Sequence, residues 1–76
     1  MRIDDIIEGH EYDNGRGKRR SVFTCVFDPV YGCDRVMYDV TAGPTSSFHS
    51  HDWRCWVDLK SFARWARLDV TSEARR

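Results

Sequence analysis

Three cysteines and two of the three histidines are the side chains of this sequence best suited to bind a metal ion. Thiolate and imidazole are ligands that zinc prefers, and here they stand at Cys25, Cys33, His49, His51 and Cys55. Structural zinc sites usually hold two cysteines a few residues apart on a tight turn, whereas seven residues separate Cys25 from Cys33. We therefore expect no metal and no other cofactor. The cysteines are expected to stay free, with Cys25 and Cys55 in the core.

Nucleophilic catalysis is the second chemistry that the residue types suggest, since Ser50, His51 and Asp52 are consecutive. Neighbouring residues of a strand point to opposite faces, so these three cannot form a Ser-His-Asp relay. Cys33 is the one nucleophile expected to be exposed, with His49 or His51 as a candidate base. A chain of 76 residues leaves little room for a substrate cleft. We expect a protein that is not an enzyme and has no small-molecule substrate.

Aromatic and basic side chains are better candidates for a binding surface. Three tryptophans and three tyrosines are too many for so small a domain to enclose. Trp53 and Trp56, three apart on one strand, must face opposite sides, and Trp56 is the better candidate for exposure. An exposed tryptophan beside Arg54 or Arg64 has the composition of an interaction hot spot.

Charge is unevenly distributed, although twelve basic and twelve acidic side chains balance over the chain. Residues 1–13 carry five acidic groups and one basic group, and residues 14–20 carry four basic groups and no acid. Asn14-Gly15 is a strong signal for a two-residue hairpin turn between these segments. The four cations are expected to form a basic tip, either a solvated turn or a binding surface. The candidate binding residues are therefore Arg16, Lys18, Arg19, Arg20, Arg54, Trp56 and Arg64.

The elements that must position these residues are mostly strands. Residues 21–27, 35–40 and 48–57 alternate in the manner of strands, and the last two segments are expected to pair antiparallel. One face of these strands carries Phe23, Cys25 and Phe27, then Val36, Tyr38 and Val40, then Trp53, Cys55 and Val57. The expected core consists of Phe23, Val36, Tyr38, Phe62 and Ala66.

After Val57 the spacing changes to that of a helix. Leu59, Phe62, Ala63 and Ala66 fall on one helical face, and Asp58 is a plausible N-cap, which predicts a helix from residue 59 to about 67. Residues 68–70 are expected to form a last short strand. The prediction is one mainly β domain over residues 1–76, a five-stranded antiparallel SH3-like barrel with one short helix before the last strand. The alternative is a two-layer fold with one helix packed across a sheet.

Several short motifs of the chain resemble those of a group of small SH3-like proteins encoded by temperate phages and prophages. They are Asp5-Ile6-Ile7-Glu8-Gly9 followed by Tyr12, Gly17 and Arg20 ahead of Val22, and Cys55 with the run from Leu59 to Ala66. The resemblance implies a phage accessory protein. That class includes small non-enzymatic binders of host machinery, among them anti-CRISPR inhibitors.

Two functions remain open on the sequence. The first is a protein that binds and inhibits or modulates a host protein or ribonucleoprotein complex, which net neutrality and exposed aromatics favour. The alternative is a nucleic-acid-binding module of SH3-like type, which the isoelectric point of about 6.8 disfavours, because phosphate neutralisation needs net positive charge. The chain has no apolar run long enough for a membrane span, and its first residues are acidic where a signal peptide is basic. We expect a cytoplasmic protein of the host cell with no membrane partner.

Overall fold

The computed structural model describes residues 1–42 and 55–74, and these residues form a sheet with short helices. In chain order the elements are a 3₁₀ turn (Ile3–Asp5), β1 (Glu11–Asp13), β2 (Arg19–Asp28), β3 (Cys33–Ala42), β4 (Cys55–Asp58), α1 (Leu59–Trp65), β5 (Leu68–Asp69) and α2 (Thr71–Ala74). None of the helices in this part of the chain is long and apolar enough to cross a membrane.

The five strands form one antiparallel sheet in the order β4-β3-β2-β1-β5. The mainly β class and the short helix before the last strand are confirmed. Within the described residues β4 and β5 are the two edges and the sheet is open, so the predicted SH3-like barrel is not confirmed. The arrangement is the two-layer alternative, because α1 packs across the sheet and contacts β3 and β4.

The core lies between this helix and one face of the sheet. Its buried members are Ile6, Tyr12, Val22, Val36, Tyr38, Phe62, Ala63 and Ala66. Phe62 is completely buried, and its ring lies 5.7 Å from the rings of both Tyr12 and Tyr38. Tyr12 also ties the N-terminal segment to the sheet, since its hydroxyl donates to the Asp5 carbonyl and accepts from the Ile7 amide. Four of the five predicted core residues are therefore confirmed.

Phe23 is the exception, because 51% of its surface is exposed. The register of β2 against β3 shifts between Val22 and Thr24, which is a β-bulge at Phe23. A bulge inserts one extra residue and breaks the two-residue alternation, so Val22 rather than Phe23 enters the core. Phe27 and Val40, predicted on the same face, are also exposed, and both lie towards the ends of their strands.

The turn between β1 and β2 is longer than the predicted two residues. Five residues connect the strands, and the Asn14 amide donates to the Lys18 carbonyl across the loop. Gly15 and Gly17 both have φ near +85°, a region that side chains with a Cβ rarely adopt. The hairpin itself is confirmed, and the basic residues are divided between its loop and the strand that follows.

Of the predicted strand over residues 48–57, residues 48–54 lie outside the described part of the chain, and β4 and α1 agree with the rest of the prediction. Cys55 and Val57 pack against the core, and Trp56 between them is exposed. Asp58 is the N-cap of α1, where its carboxylate accepts from the Ser61 amide at 2.9 Å. The helix ends at Trp65, two residues before the predicted end, because Ala66 has extended backbone angles. The predicted strand over residues 68–70 is shorter, and α2 was not predicted.

Candidate functional site: an aromatic–arginine surface

One cation lies over two exposed aromatic rings on the face of the sheet opposite the core. The guanidinium carbon of Arg35 is 4.4 Å from the ring centre of Tyr31 and 5.7 Å from that of Trp56. Tyr31 is 68% exposed and Trp56 is 44% exposed. We call these three residues the aromatic–arginine surface. Arginine favours such stacking because its planar guanidinium is weakly hydrated.

Strand pairing brings two of these residues together. Met37 is the Cα partner of Trp56, and Arg35 lies two residues before Met37 on β3. Residues two apart on a strand, and directly paired residues, share one face of the sheet. Val36, between Arg35 and Met37, points into the core. Arg35 and Trp56 therefore stand together on the outer face.

The turn between β2 and β3 positions Tyr31. Asp28 holds this turn, since its carbonyl accepts from the Gly32 amide at 2.8 Å and its side chain accepts from the Val30 amide at 2.9 Å. The second carboxylate oxygen of Asp28 lies 3.4 Å from Nη1 of Arg35. Asp28 thus shapes the turn that carries Tyr31 and also orients Arg35 over the Tyr31 ring.

A surface cleft of about 560 Å³ lies beside the aromatic–arginine surface. Its walls are partly apolar, from Ile3 and Leu59, and partly charged, with both signs present. The charged residues that line it, besides Arg35, are Asp34, Asp58 and Lys60. Apolar walls with a few polar groups of both signs suit a protein segment better than a polyanion.

The predicted basic residues do not assemble around Trp56 within the described part of the chain. Arg16 is exposed in the β1–β2 loop with the half-buried Lys18, and Arg64 is exposed on α1. Arg19 binds the buried Asp13, its Nε lying 3.1 Å from Oδ2. Arg20 lies over the rings of Tyr38 and Trp65 instead. Arg54, like His49, His51 and Trp53, lies outside the described residues.

Sequence reasoning selected Trp56 and missed its two partners, Arg35 and Tyr31. Arg35 directly precedes the core residue Val36 on β3 and looks like an ordinary outward-facing strand residue. Tyr31 lies in a segment read only as a strand break. One signal in the sequence could have placed Tyr31. Asp28-Pro29 is typical of the start of a turn, and a turn between two paired strands lies at the end of the sheet.

The three cysteines are free, as expected, and half-buried. Cys25 and Cys55 pack against the core, whereas Cys33 lines the cleft. Burial raises the pKa of the Cys25 thiol, and the nearby Glu8 and Asp34 raise it further. A thiol with a raised pKa is a poor nucleophile and a poor metal ligand at neutral pH. Residues 1–42 and 55–74 contain no group of three His, Cys, Asp or Glu residues placed to hold a metal ion.

We expect protein purified without added zinc to contain far less than one zinc ion per chain. The cysteines of β2 and β4 contribute to packing rather than to ligation, so a chelator should leave the melting temperature unchanged. Elemental analysis and thermal melts with and without chelator measure both quantities. Stoichiometric zinc, or unfolding on chelation, would contradict the free-cysteine interpretation.

Two carboxylates at the β1 end of the sheet, those of Asp13 and Asp69, have pKa values below the ordinary value. The Gly15 amide, above all, holds the pKa of Asp13 below its ordinary value of 3.8. Burial acts to raise the pKa of Asp69, but hydrogen bonds from Thr71 and His10 outweigh it and leave that pKa lowered. A carboxyl whose pKa is lower in the folded state stabilises the fold above its unfolded pKa and loses that contribution as the pH falls.

We therefore expect the free energy of unfolding to be nearly constant from neutral pH to about pH 5 and to decrease below about pH 4. Denaturant titrations over this range measure it. Asp13→Asn removes one of the two carboxyls and should flatten the decrease while lowering stability at neutral pH. A free energy of unfolding that stays constant or increases on acidification would show that these carboxylates contribute nothing.

Comparison with known proteins identified no relative of this chain. The scan against protein-family models, the search of curated proteins and the search of solved structures each found no match for this chain. The function must therefore be argued from the chain's own surfaces, of which the aromatic–arginine surface and its cleft are the best defined.

Proposed function

We propose that this protein is a non-enzymatic binding module that attaches to a host protein through the aromatic–arginine surface. The observation that carries the proposal is the position of Arg35 over two exposed rings, those of Tyr31 and Trp56. Tryptophan, tyrosine and arginine are the residues most enriched at binding hot spots. Together with the resemblance noted in the sequence, the proposal is a phage accessory protein that modulates or inhibits a host protein or ribonucleoprotein complex, as anti-CRISPR proteins do.

Pre-organisation supports this surface as a binding site. The Asp28 carboxylate and the two rings already restrict Arg35, so less side-chain entropy is lost when a partner covers it. The exposed parts of these rings remain in contact with water in the free protein, whereas covering them in a complex removes that apolar area from water. The exposed rings are thus better explained by a partner than by the fold.

Charge supports a protein partner over a nucleic acid. The chain has no net charge, and two of its described arginines, Arg19 and Arg35, are already paired with carboxylates. Binding to nucleic acid draws most of its affinity from cations that contact phosphate. The mixed charge of the cleft instead suits a protein segment with apolar side chains and charges of both signs.

Affinity capture from host lysate treated with nuclease tests the proposal. Wild type, a Tyr31→Ala/Trp56→Ala double variant and Phe27→Ala are immobilised side by side. Phe27 is a matched control because it is 62% exposed and does not line the cleft. We expect one protein or complex to be retained by wild type and by Phe27→Ala and lost by the double variant.

The proposal fails if the double variant retains the same proteins as wild type. It also fails if wild type shifts nucleic acid in gels with an affinity that decreases steeply with salt, while no protein depends on the two rings. Circular dichroism of each variant ensures that lost capture reflects a lost surface rather than a lost fold.

A further inference from the structure

A second surface cleft, of about 440 Å³, lies where the N-terminal segment meets α1. The residues that line it are Met1, Ile3, Lys60, Ala63, Arg64 and Arg67. Three of them are cations and none is an acid, so we call it the basic cleft. It adjoins the cleft beside the aromatic–arginine surface, because Ile3 and Lys60 line both.

Backbone hydrogen bonds hold the walls of the basic cleft in place. The Met1 nitrogen donates to the carbonyl oxygens of Ala63 at 2.7 Å and Ala66 at 3.1 Å, which fixes the N-terminal segment against the end of α1. The Arg67 amide donates to the Asp13 carbonyl at 2.9 Å, which ties Arg67 to β1. The backbone that carries the cleft is therefore fixed by the fold before any ligand binds.

The three cations of the basic cleft are open to solvent and lack an acidic partner among the described residues. Lys60, Arg64 and Arg67 are all exposed, and no carboxylate in the described part of the chain forms an ion pair with them. Hydrogen bonds from Ser61, and to a smaller extent the charge of Arg64, lower the pKa of Asp58. That carboxylate is already engaged as the N-cap of α1 and does not line the basic cleft. The positive charge of the cleft is therefore available to a ligand.

The placement of these cations does little for the stability of α1. Lys60 and Arg64 are four residues apart on the helix, where like charges are neighbours and repel each other. Lys60 also stands in the first turn, where a cation opposes the helix dipole, and only Arg64 in the last turn is favoured by it. Contact with an anion outside the chain explains this row of cations better than helix stability does.

We propose that the basic cleft binds an acidic segment of a protein partner. Three positive charges with no acid between them match a run of carboxylates, which arginine can bind through two parallel N–H bonds. The apolar part of the wall favours a peptide over a nucleic acid, since Met1 and Ile3 are 38% and 43% exposed and can cover an apolar side chain between the acids. A chain without net charge also gains little from phosphate neutralisation. The proposal does not rest on the proposed function, because Arg64 and Arg67 do not line the cleft beside the aromatic–arginine surface.

The test is a titration of the wild-type protein at constant ionic strength, followed by ¹H–¹⁵N NMR. The probes are a capped Glu-Glu-Leu-Glu-Glu peptide, its neutral Gln-Gln-Leu-Gln-Gln counterpart, and a five-nucleotide oligouridylate whose phosphates carry the same charge as the acidic peptide. We expect the Nε–H signals of Arg64 and Arg67 and the amide signal of Ala63 to shift saturably with the acidic peptide and not with the neutral one. Absence of a saturable shift, or binding of the oligouridylate as tight as that of the acidic peptide, would overturn the proposal.

Variants of equal net charge separate the basic cleft from general attraction. Arg64→Gln/Arg67→Gln removes two cations of the cleft, so we expect the Kd for the acidic peptide to increase at least about fivefold. Arg2→Gln/Arg16→Gln is the matched control, because it removes the same charge from two exposed arginines that do not line the cleft. The control should change the Kd by less than about twofold. Equal losses in the two variants, read from the Ala63 amide, would show that no particular site is involved.

The Tyr31→Ala/Trp56→Ala variant keeps this test apart from the capture experiment. Neither residue lines the basic cleft, so the variant should bind the acidic peptide as wild type does. Peptide binding that survives in a protein whose rings capture no partner would leave the basic cleft supported and the proposed function contradicted. Loss of peptide binding in this variant would place the peptide on the aromatic–arginine surface and overturn the assignment to the basic cleft.

Discussion

Phe62→Ala is expected to remove a large part of the free energy of unfolding. Phe62 is completely buried, and its ring contacts the rings of Tyr12, Tyr38 and Trp65, which come from three different elements. Truncating a buried phenylalanine costs about 3–5 kcal/mol, because apolar contacts are lost and a cavity remains. A domain of this size has a total of only about 4–11 kcal/mol. Denaturant titration monitored by circular dichroism measures the change.

Phe23→Ala is the matched control for that experiment. It removes the same ring from a residue that is 51% exposed at a bulge of β2. Substitutions at exposed positions usually change stability by less than about 1 kcal/mol. If the two variants lose similar amounts of stability, the division between core and surface described for β2 and α1 is wrong.

The fold could be predicted from the sequence wherever the local pattern was regular. Val36 and Tyr38 on β3, and Phe62 and Ala66 of the helical segment, lie where the two-residue and helical periods place them. The bulge at Phe23 could not be predicted, because Phe23, Cys25 and Phe27 alternate in the sequence as they would in an unbroken strand. Its position follows from the pairing with β3, which is a property of the tertiary structure.

The sequence pattern also could not predict that the sheet is open rather than closed into a barrel. The order of short strands with a helical turn before the last is compatible with a closed barrel and with an open sheet. Closure depends on whether the two edge strands, here β4 and β5, pair with each other. In the described residues β5 is only Leu68–Asp69 and pairs with β1, so the sheet ends there.

The candidate site could also be predicted only in part, because its contacts depend on strand pairing. Trp56 was selected because three tryptophans and three tyrosines are too many for so small a domain to enclose, and because Trp53 and Trp56 must face opposite sides of a strand. Its cation was sought among nearby residues such as Arg54 and Arg64, but pairing of β3 with β4 supplies Arg35 instead. The consecutive arginines 19 and 20 were read as one basic tip, yet one binds Asp13 and the other lies over core rings. Adjacency in sequence does not determine which partner a strand residue meets.

Trp56→Ala should produce the largest loss of binding among single substitutions on the outer face. Trp56 offers a large rigid ring that is already 44% exposed and has Arg35 over one face. Truncating a hot-spot tryptophan costs about 2 kcal/mol or more, which is about a 30-fold increase in Kd. The loss should appear as faster dissociation, because an anchor that is covered only in the complex acts after the encounter. Surface plasmon resonance with the captured partner measures both rates.

The conservative variant Trp56→Phe and the charge variant Arg16→Glu distinguish the anchor from general electrostatic attraction. Trp56→Phe keeps an aromatic face over Arg35 and should recover much of the lost affinity. Arg16→Glu reverses an exposed charge in the β1–β2 loop, so it should change the association rate and its dependence on salt and leave dissociation nearly unchanged. Should Trp56→Ala bind as tightly as wild type while Arg16→Glu loses affinity, the partner contacts the loop rather than the aromatic–arginine surface.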